Sequence, residues 1–137
     1  MISTRGRYAL RVMVDLAQND SGAFIPLKDI AARQDISKQY LEIIMKDLVS
    51  GGLLQGISGK GGGYRLCRKP EDYSLLEILS LTEGDLSPVA CLADGGFSCE
   101  RRDTCPTLPL WREYNGLIRD FFASKRLCDL IKNQTDS

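Results

Sequence analysis

The sequence predicts a mainly α-helical chain with one small β-hairpin, on three observations. Apolar residues recur at helical spacing over several stretches. One glycine-rich run, 56–63, is flanked by short strand-like segments. The 137 residues are 43% hydrophobic, enough for one real core and too many for a disordered chain. No apolar run approaches the roughly 18 residues that span a bilayer.

The first helix is expected over 4–17, with Tyr8, Ala9, Val12, Met13, Leu16 and Ala17 on one face and "NDSG" ending it. Pro26 opens a short second helix to about Arg33, and "QDIS" turns the chain. Ser37 then suits the N-cap of a helix over 38–49. There Leu41, Ile44, Met45 and Leu48 share one face, and Gln39, Glu42, Ile43 and Lys46 share the other. Gly51 and Gly52 stop it. Segments 53–57 and 64–68 read as the arms of a hairpin whose tip carries Lys60, and five of the eight residues from Gly56 to Gly63 are glycine. A nucleotide-binding loop is excluded, because Leu54 stands where the Walker pattern needs its first glycine and Gly61 where it needs Ser or Thr.

Further on, "SLLEILSLTEG" is a helix opened by a capping box, Ser74 with Glu77, and stopping at Gly84. About 20 residues without periodicity follow, a length that in so small a chain points to function or disorder. Helix resumes from "PLWREYNGLIRDFF" toward the C-terminus. Leu110, Trp111, Tyr114, Leu117, Ile118, Phe121 and Phe122 make its stripe so apolar that a second subunit is expected to cover it.

The formal net charge of zero hides an asymmetry. Residues 1–70 hold 11 Lys/Arg against 6 Asp/Glu, and residues 71–137 hold 7 against 12. A basic half suggests a polyanionic partner. Helix, turn, helix and glycine-tipped hairpin together make a winged helix, whose second helix fits the major groove of DNA. The outer face of that helix offers Lys38, Gln39, Tyr40 and Glu42 for hydrogen bonds and Ile43 for a thymine methyl. At the wing tip, Gly61 and Gly62 let backbone amides approach phosphates, and Lys60 supplies charge. An ordinary helical domain with a surface hairpin is the plainer alternative, but it leaves this polar set without a role.

In "CLADGGFSCERRDTC", Cys91, Cys99 and Cys105 are spaced x7 and x5, and the chain has no histidine. The N-terminus mixes arginines and an aspartate into its apolar positions and so reads as no signal peptide, which makes a reducing cytosol the expected compartment. Free thiols, one disulfide or a metal site remain open on spacing. Zinc sites prefer shorter pairs and four ligands. Three thiolates suit iron bridged by sulfide, with Arg101 and Arg102 beside them to offset negative charge. Cys67 and Cys128 are expected as buried fillers.

The motifs "STRGRYALRVMVDLA", "ISKQYLEIIMKDLVSGGLL" and "GKGGGYRL", followed by the three cysteines and "LPLW", resemble the IscR-type bacterial transcription regulators. These form the Rrf2 family, which also includes NsrR, RirA and CymR, and the resemblance runs from Ile2 to about Asn133. It implies a homodimeric, cytoplasmic winged-helix regulator of palindromic operators, mostly a repressor. It implies that Ser3, Thr4, Arg5 and Tyr8 anchor the phosphate backbone while Lys38, Gln39, Tyr40 and Glu42 enter the major groove. It also implies an iron–sulfur cluster, 2Fe-2S or 4Fe-4S, on Cys91, Cys99 and Cys105. Two departures stand out. Ser58 replaces a wing arginine found in several relatives. Leu108 replaces the histidine that completes the cluster ligands in a well-known one, which leaves the fourth ligand unassigned. Arg7, Tyr8 and Arg11 stand where other relatives place an acidic ligand, with Asp15 two turns further along.

The expected organisation is a DNA-binding domain over 1–83, a cysteine-rich loop over 84–106 and a dimerisation helix with tail over 107–137. The expected function is a regulator sensing iron–sulfur, redox or nitric oxide status, and no enzyme. The alternative is a cluster-free winged-helix regulator of sulfur metabolism acting through thiols or a partner protein. A thiol redox enzyme lacks a C-x-x-C pair and a histidine base. A pure protein–protein adaptor leaves the groove-facing polar set unexplained.

Overall fold

The computed structural model describes residues 2–83 and 106–135. The expected cysteine segment, with Cys91, Cys99 and Cys105, therefore lies outside the described residues. Helix α1 (Thr4–Gln18) starts where the Ser3 hydroxyl accepts the Gly6 amide, an N-cap its residue type favours. Ala9, Val12, Met13 and Leu16 are buried along it. Around α1 pack α2 (Leu27–Gln34), α4 (Leu75–Glu83), α6 (Leu127–Thr135) and the hairpin.

The second helix ends at Asp35, whose left-handed φ of 54° turns the chain sharply. Ser37 then caps α3 (Lys38–Ser50) by accepting the Tyr40 amide at 3.2 Å. Leu41, Ile44, Met45 and Leu48 are each fully buried, worth about 1.5–3 kcal/mol apiece in apolar transfer. That anchors α3 by one face and leaves the other to solvent, as its sequence pattern requires.

Strands β1 (Leu54–Ile57) and β2 (Gly63–Leu66) pair antiparallel, Leu54 opposite Leu66 and Ile57 opposite Gly63. The hairpin does not stand free. Ile25, just before α2, exchanges both backbone hydrogen bonds with Tyr64, at 2.8 and 2.9 Å. Gly63 permits this. Its φ of +150° is unusual for an L side chain, and a Cβ there would stand 2.2 Å from the Ile25 carbonyl oxygen. The second arm is shorter than the 64–68 its sequence suggests, because the Cys67 and Arg68 amides turn away to the Tyr73 hydroxyl, at 2.9 and 3.1 Å. This corrects the expectation for Cys67, which is exposed beyond the strand end and fills no core. Cys128 is half-buried on α6.

The capping box forms as read: Glu77 accepts the Ser74 amide at 3.0 Å, and Ser74 accepts the Glu77 amide at 3.2 Å. Arg68 donates to Glu77 as well, at 2.7 Å. Burial pushes the Glu77 carboxyl up, but the Ser74 and Arg68 hydrogen bonds outweigh it and hold it below its ordinary value. Because the folded value is the lower one, this stabilisation is complete above the ordinary carboxylate range and is lost as pH falls through the folded value. Glu77→Gln is therefore expected to lower the melting temperature at pH 7 and to flatten its fall towards pH 3. A thermal melt series checks this; a parallel offset between the two curves would contradict it.

The C-terminal stretch is two helices where one was expected. Helix α5 (Leu108–Ser124) ends at Lys125, which is extended, and α6 restarts at Leu127. The reason is tertiary. Leu75 donates its amide to the Lys125 carbonyl at 3.0 Å, and Leu127 donates to the Tyr73 carbonyl at 3.1 Å. The chain thus reverses along segment 73–75, and fully buried Leu127 carries α6 back onto α1.

Candidate nucleic-acid interface

The predicted DNA-contact residues fall into three groups. On α3, Lys38, Gln39, Glu42 and Ile43 are exposed, and Ile43 keeps 53% of its surface in solvent. Tyr40 is half-buried, because its ring meets Tyr8 of α1 edge to face at 5.8 Å, with Arg11 lying 5.0 Å over Tyr8. That contact fixes the first turns of α1 and α3 against each other. At the wing tip, Ser58, Lys60 and Gly61 are exposed and Gly62 is half-buried. The turn closes by a Gly62 amide to Gly59 carbonyl bond of 3.0 Å, and a Cβ on Gly62 would meet the Ile57 carbonyl oxygen at 2.5 Å.

The third group, at the start of α1, is committed to other partners. Arg5 forms an ion pair with Asp47 of α3, and its Nε is buried without a hydrogen-bond partner. Thr4 accepts from Arg7 at 3.1 Å. Ser3 donates to Glu83, at the end of α4. Among the described residues, Lys38, Lys46 and Lys60 form no ion pair, so their charges are available to an anion. Lys46 lines a cleft of about 440 Å³ between α3 and the wing, with Glu42, Met45, Val49, Ile57 and Ser58.

Two residues that brace the helix-turn-helix and wing were not given that role from sequence. Asp15 of α1, 2% exposed, accepts from Arg33 twice, at 2.9 and 2.7 Å, and from Gln34 at 2.8 Å. The Asp15 hydrogen bond outweighs burial and holds the Arg33 guanidinium above its ordinary value. The group clamps the end of α2, where the chain turns into α3. Asp15 is thereby spent on Arg33 and Gln34 and is not available as the acidic ligand considered above. The legible signal was a carboxylate on the apolar face of a helix. Tyr73 is the second, buried and joined through its hydroxyl to Leu53 as donor and to Cys67 and Arg68 as acceptor. Its position just before the capping box, with buried Ile78 four residues into α4, is that of a hydrophobic staple.

The dimerisation candidates divide. Leu110, Tyr114, Leu117 and Phe121, spaced by four, three and four, are 47–64% exposed along α5. Trp111 and Ile118 are half-buried, and Phe122 turns into the core of its own chain. Among the described residues no cluster of three His, Cys, Asp or Glu is placed to hold a metal ion. No helix of the described residues is long and apolar enough to cross a membrane.

A polar recognition helix, a glycine-tipped wing clamped to the helix-turn-helix and an unneutralised lysine at the tip define a winged-helix DNA-binding regulator. Residues 2–133 match the family model Rrf2, described as an iron-dependent transcriptional regulator. The chain belongs to this family. The HTH-type transcriptional regulator IscR of Escherichia coli is 34% identical over 133 residues, which cover 97% of this chain and 81% of that protein. Among solved structures, CymR, the global cysteine regulator of B. subtilis, superposes with a TM-score of 0.76 at 32% identity, covering 97% of each chain. T. potens IscR does so with a TM-score of 0.76 at 30% identity, covering 98% of this chain and 88% of that one.

Proposed function

We propose that this regulator acts as a homodimer on palindromic operators and senses through an iron–sulfur cluster held by Cys91, Cys99 and Cys105. The observation that carries the sensing half is the donor set: three cysteines at x7 and x5 beside two arginines, in a chain without histidine. These residues would hold the cluster by thiolate bonds, and the cluster would supply sensitivity to iron, oxygen or nitric oxide. The dimer is supported by the exposed line on α5, whose 4-3-4 spacing is that of a two-helix seam. The bacterial cytoplasm is the compartment this reading implies.

The test is a visible spectrum of anaerobically purified protein, with iron and sulfide assayed per subunit, for wild type and Cys99→Ala. Absorption between roughly 320 and 460 nm in the wild type, lost in the variant, is the expected result. A wild-type protein that stays colourless after anaerobic reconstitution would move the reading to a cluster-free regulator of sulfur metabolism, which the likeness to CymR favours.

For the DNA half, Lys38, Gln39, Tyr40, Glu42 and Ile43 read base edges while Ser58, Lys60, Gly61 and Gly62 follow the backbone. Ser3, Arg5 and Tyr8 border the same surface through their contacts with Glu83, Asp47 and Tyr40, and Thr4, bonded to Arg7, lies beside them at the start of α1 to anchor the phosphate backbone. Lys60→Gln is expected to weaken binding to all duplexes alike and to lower the salt slope by about 0.9. Anisotropy titrations across salt concentrations measure both; a changed sequence preference at constant slope would remove Lys60 from the phosphate-contacting set.

A further inference from the structure

We infer that Glu83 is a lock on the DNA-facing end of α1, an inference that rests on the DNA-binding reading above. Its Oε1 accepts the Ser3 amide at 2.8 Å and the Ser3 hydroxyl at 2.7 Å. The Ser3 oxygen accepts the Gly6 amide in turn, at 3.3 Å. With its amide and its one hydroxyl proton both given to Glu83, Ser3 has no donor left for a phosphate oxygen. The carboxylate also brings negative charge to the start of α1, where the helix dipole otherwise favours an incoming anion.

Gly6 makes room for this contact. A Cβ at that position would stand 2.1 Å from Glu83 Oε1 and 3.0 Å from its Cδ, so any side chain there evicts the carboxylate. The atoms displaced are the far end of a flexible side chain and not backbone, so the eviction leaves α1 and α4 in place. The same end of α1 is tied to α3 by the Arg5–Asp47 ion pair. A duplex lying on α3 and running past Ser3 gains that residue only by displacing Glu83. The protein therefore has a locked and an unlocked form, and release of Glu83 favours phosphate binding.

The test uses the full chain and a mixed-sequence DNA duplex titrated at several salt concentrations. Glu83→Ala removes the carboxylate, while Gly6→Ala keeps it and forces it aside. The two substitutions perturb the fold differently, since one deletes an interhelical contact and the other adds a methyl that favours helix. A merely structural contact would not move DNA binding the same way in both. Both variants are expected to bind about fivefold tighter at low salt, and Glu83→Ala, which removes the charge, is expected to steepen the salt slope by about 0.9. The gain should shrink when Ser3→Ala is added, most clearly in Gly6→Ala, where the carboxylate's charge remains and the Ser3 amide alone is left to donate. Unchanged or weaker binding in both single variants, or a Gly6→Ala gain undiminished without the Ser3 hydroxyl, overturns the lock while leaving the DNA-binding reading intact. Failure of wild type and variants alike to bind any duplex sinks both.

Discussion

Asp15→Ala is expected to lower the unfolding free energy by about 2–3 kcal/mol, and the melting temperature by roughly 10 °C. Breaking one side of a buried ion pair is costly because the remaining charge has no partner. Here the loss lies below the usual range for such pairs, since the Arg33 side chain keeps 38% of its surface in solvent and water can take it over. What cannot be recovered is the clamp across α1 and the end of α2. Duplex affinity is therefore expected to fall along with stability, because the turn at Asp35 that sets the angle of α3 loses its anchor. Asp15→Asn keeps the shape and one acceptor oxygen, and should show about half the loss. Urea denaturation of the three proteins measures this. Equal stability of Asp15→Ala and wild type would mean that the three hydrogen bonds contribute nothing net.

Tyr73→Phe is the second large effect, expected at about 2 kcal/mol, from the loss of one hydroxyl. That hydroxyl is 2.6 Å from the Leu53 carbonyl and serves two amides besides, so its removal strands three backbone groups around a fully buried ring. The ring itself stays, which separates the polar loss from any cavity. Amide hydrogen exchange should quicken at Cys67 and Arg68 before it does so elsewhere in the wing. Exchange that rises evenly over the whole chain would point to global destabilisation instead. Burial of the phenol also pushes its ionisation above the ordinary tyrosine range, against the opposing pull of the Arg68 and Cys67 amides.

What the sequence revealed is what local chemistry decides. Ser37 and Ser74 declare helix starts because their hydroxyls cap amides within three residues, and both do so here. The apolar quartet of α3 and the glycine-rich wing follow from periodicity and turn preference alone. The break at Lys125 and Arg126 was not legible, because its cause is the backbone of residues 73–75, some fifty positions away. The same holds for Glu83, whose partner Ser3 is 80 residues distant. Asp15 advertised its burial but not the residues that would satisfy it. The cysteine spacing, in contrast, named a donor type and left free thiols, a disulfide and a metal site open, and these cysteines lie outside the described residues.

The bond between Ile25 and Tyr64 has a consequence for the DNA rather than for the protein. It joins the approach to α2 directly to the second strand of the wing, and Arg65 adds a second tie by stacking 4.3 Å over Phe24 and donating to the Gly22 carbonyl at 2.9 Å. The span from recognition helix to wing tip is thereby fixed before any operator arrives, as in a caliper set to one gauge. A duplex whose grooves do not match that gauge must bend or narrow to fit, and the cost depends on the stiffness of base steps the protein never touches. On the proposed binding mode, operators are expected to be selected partly by flexibility, and affinity measured on duplexes substituted at uncontacted base pairs is expected to change.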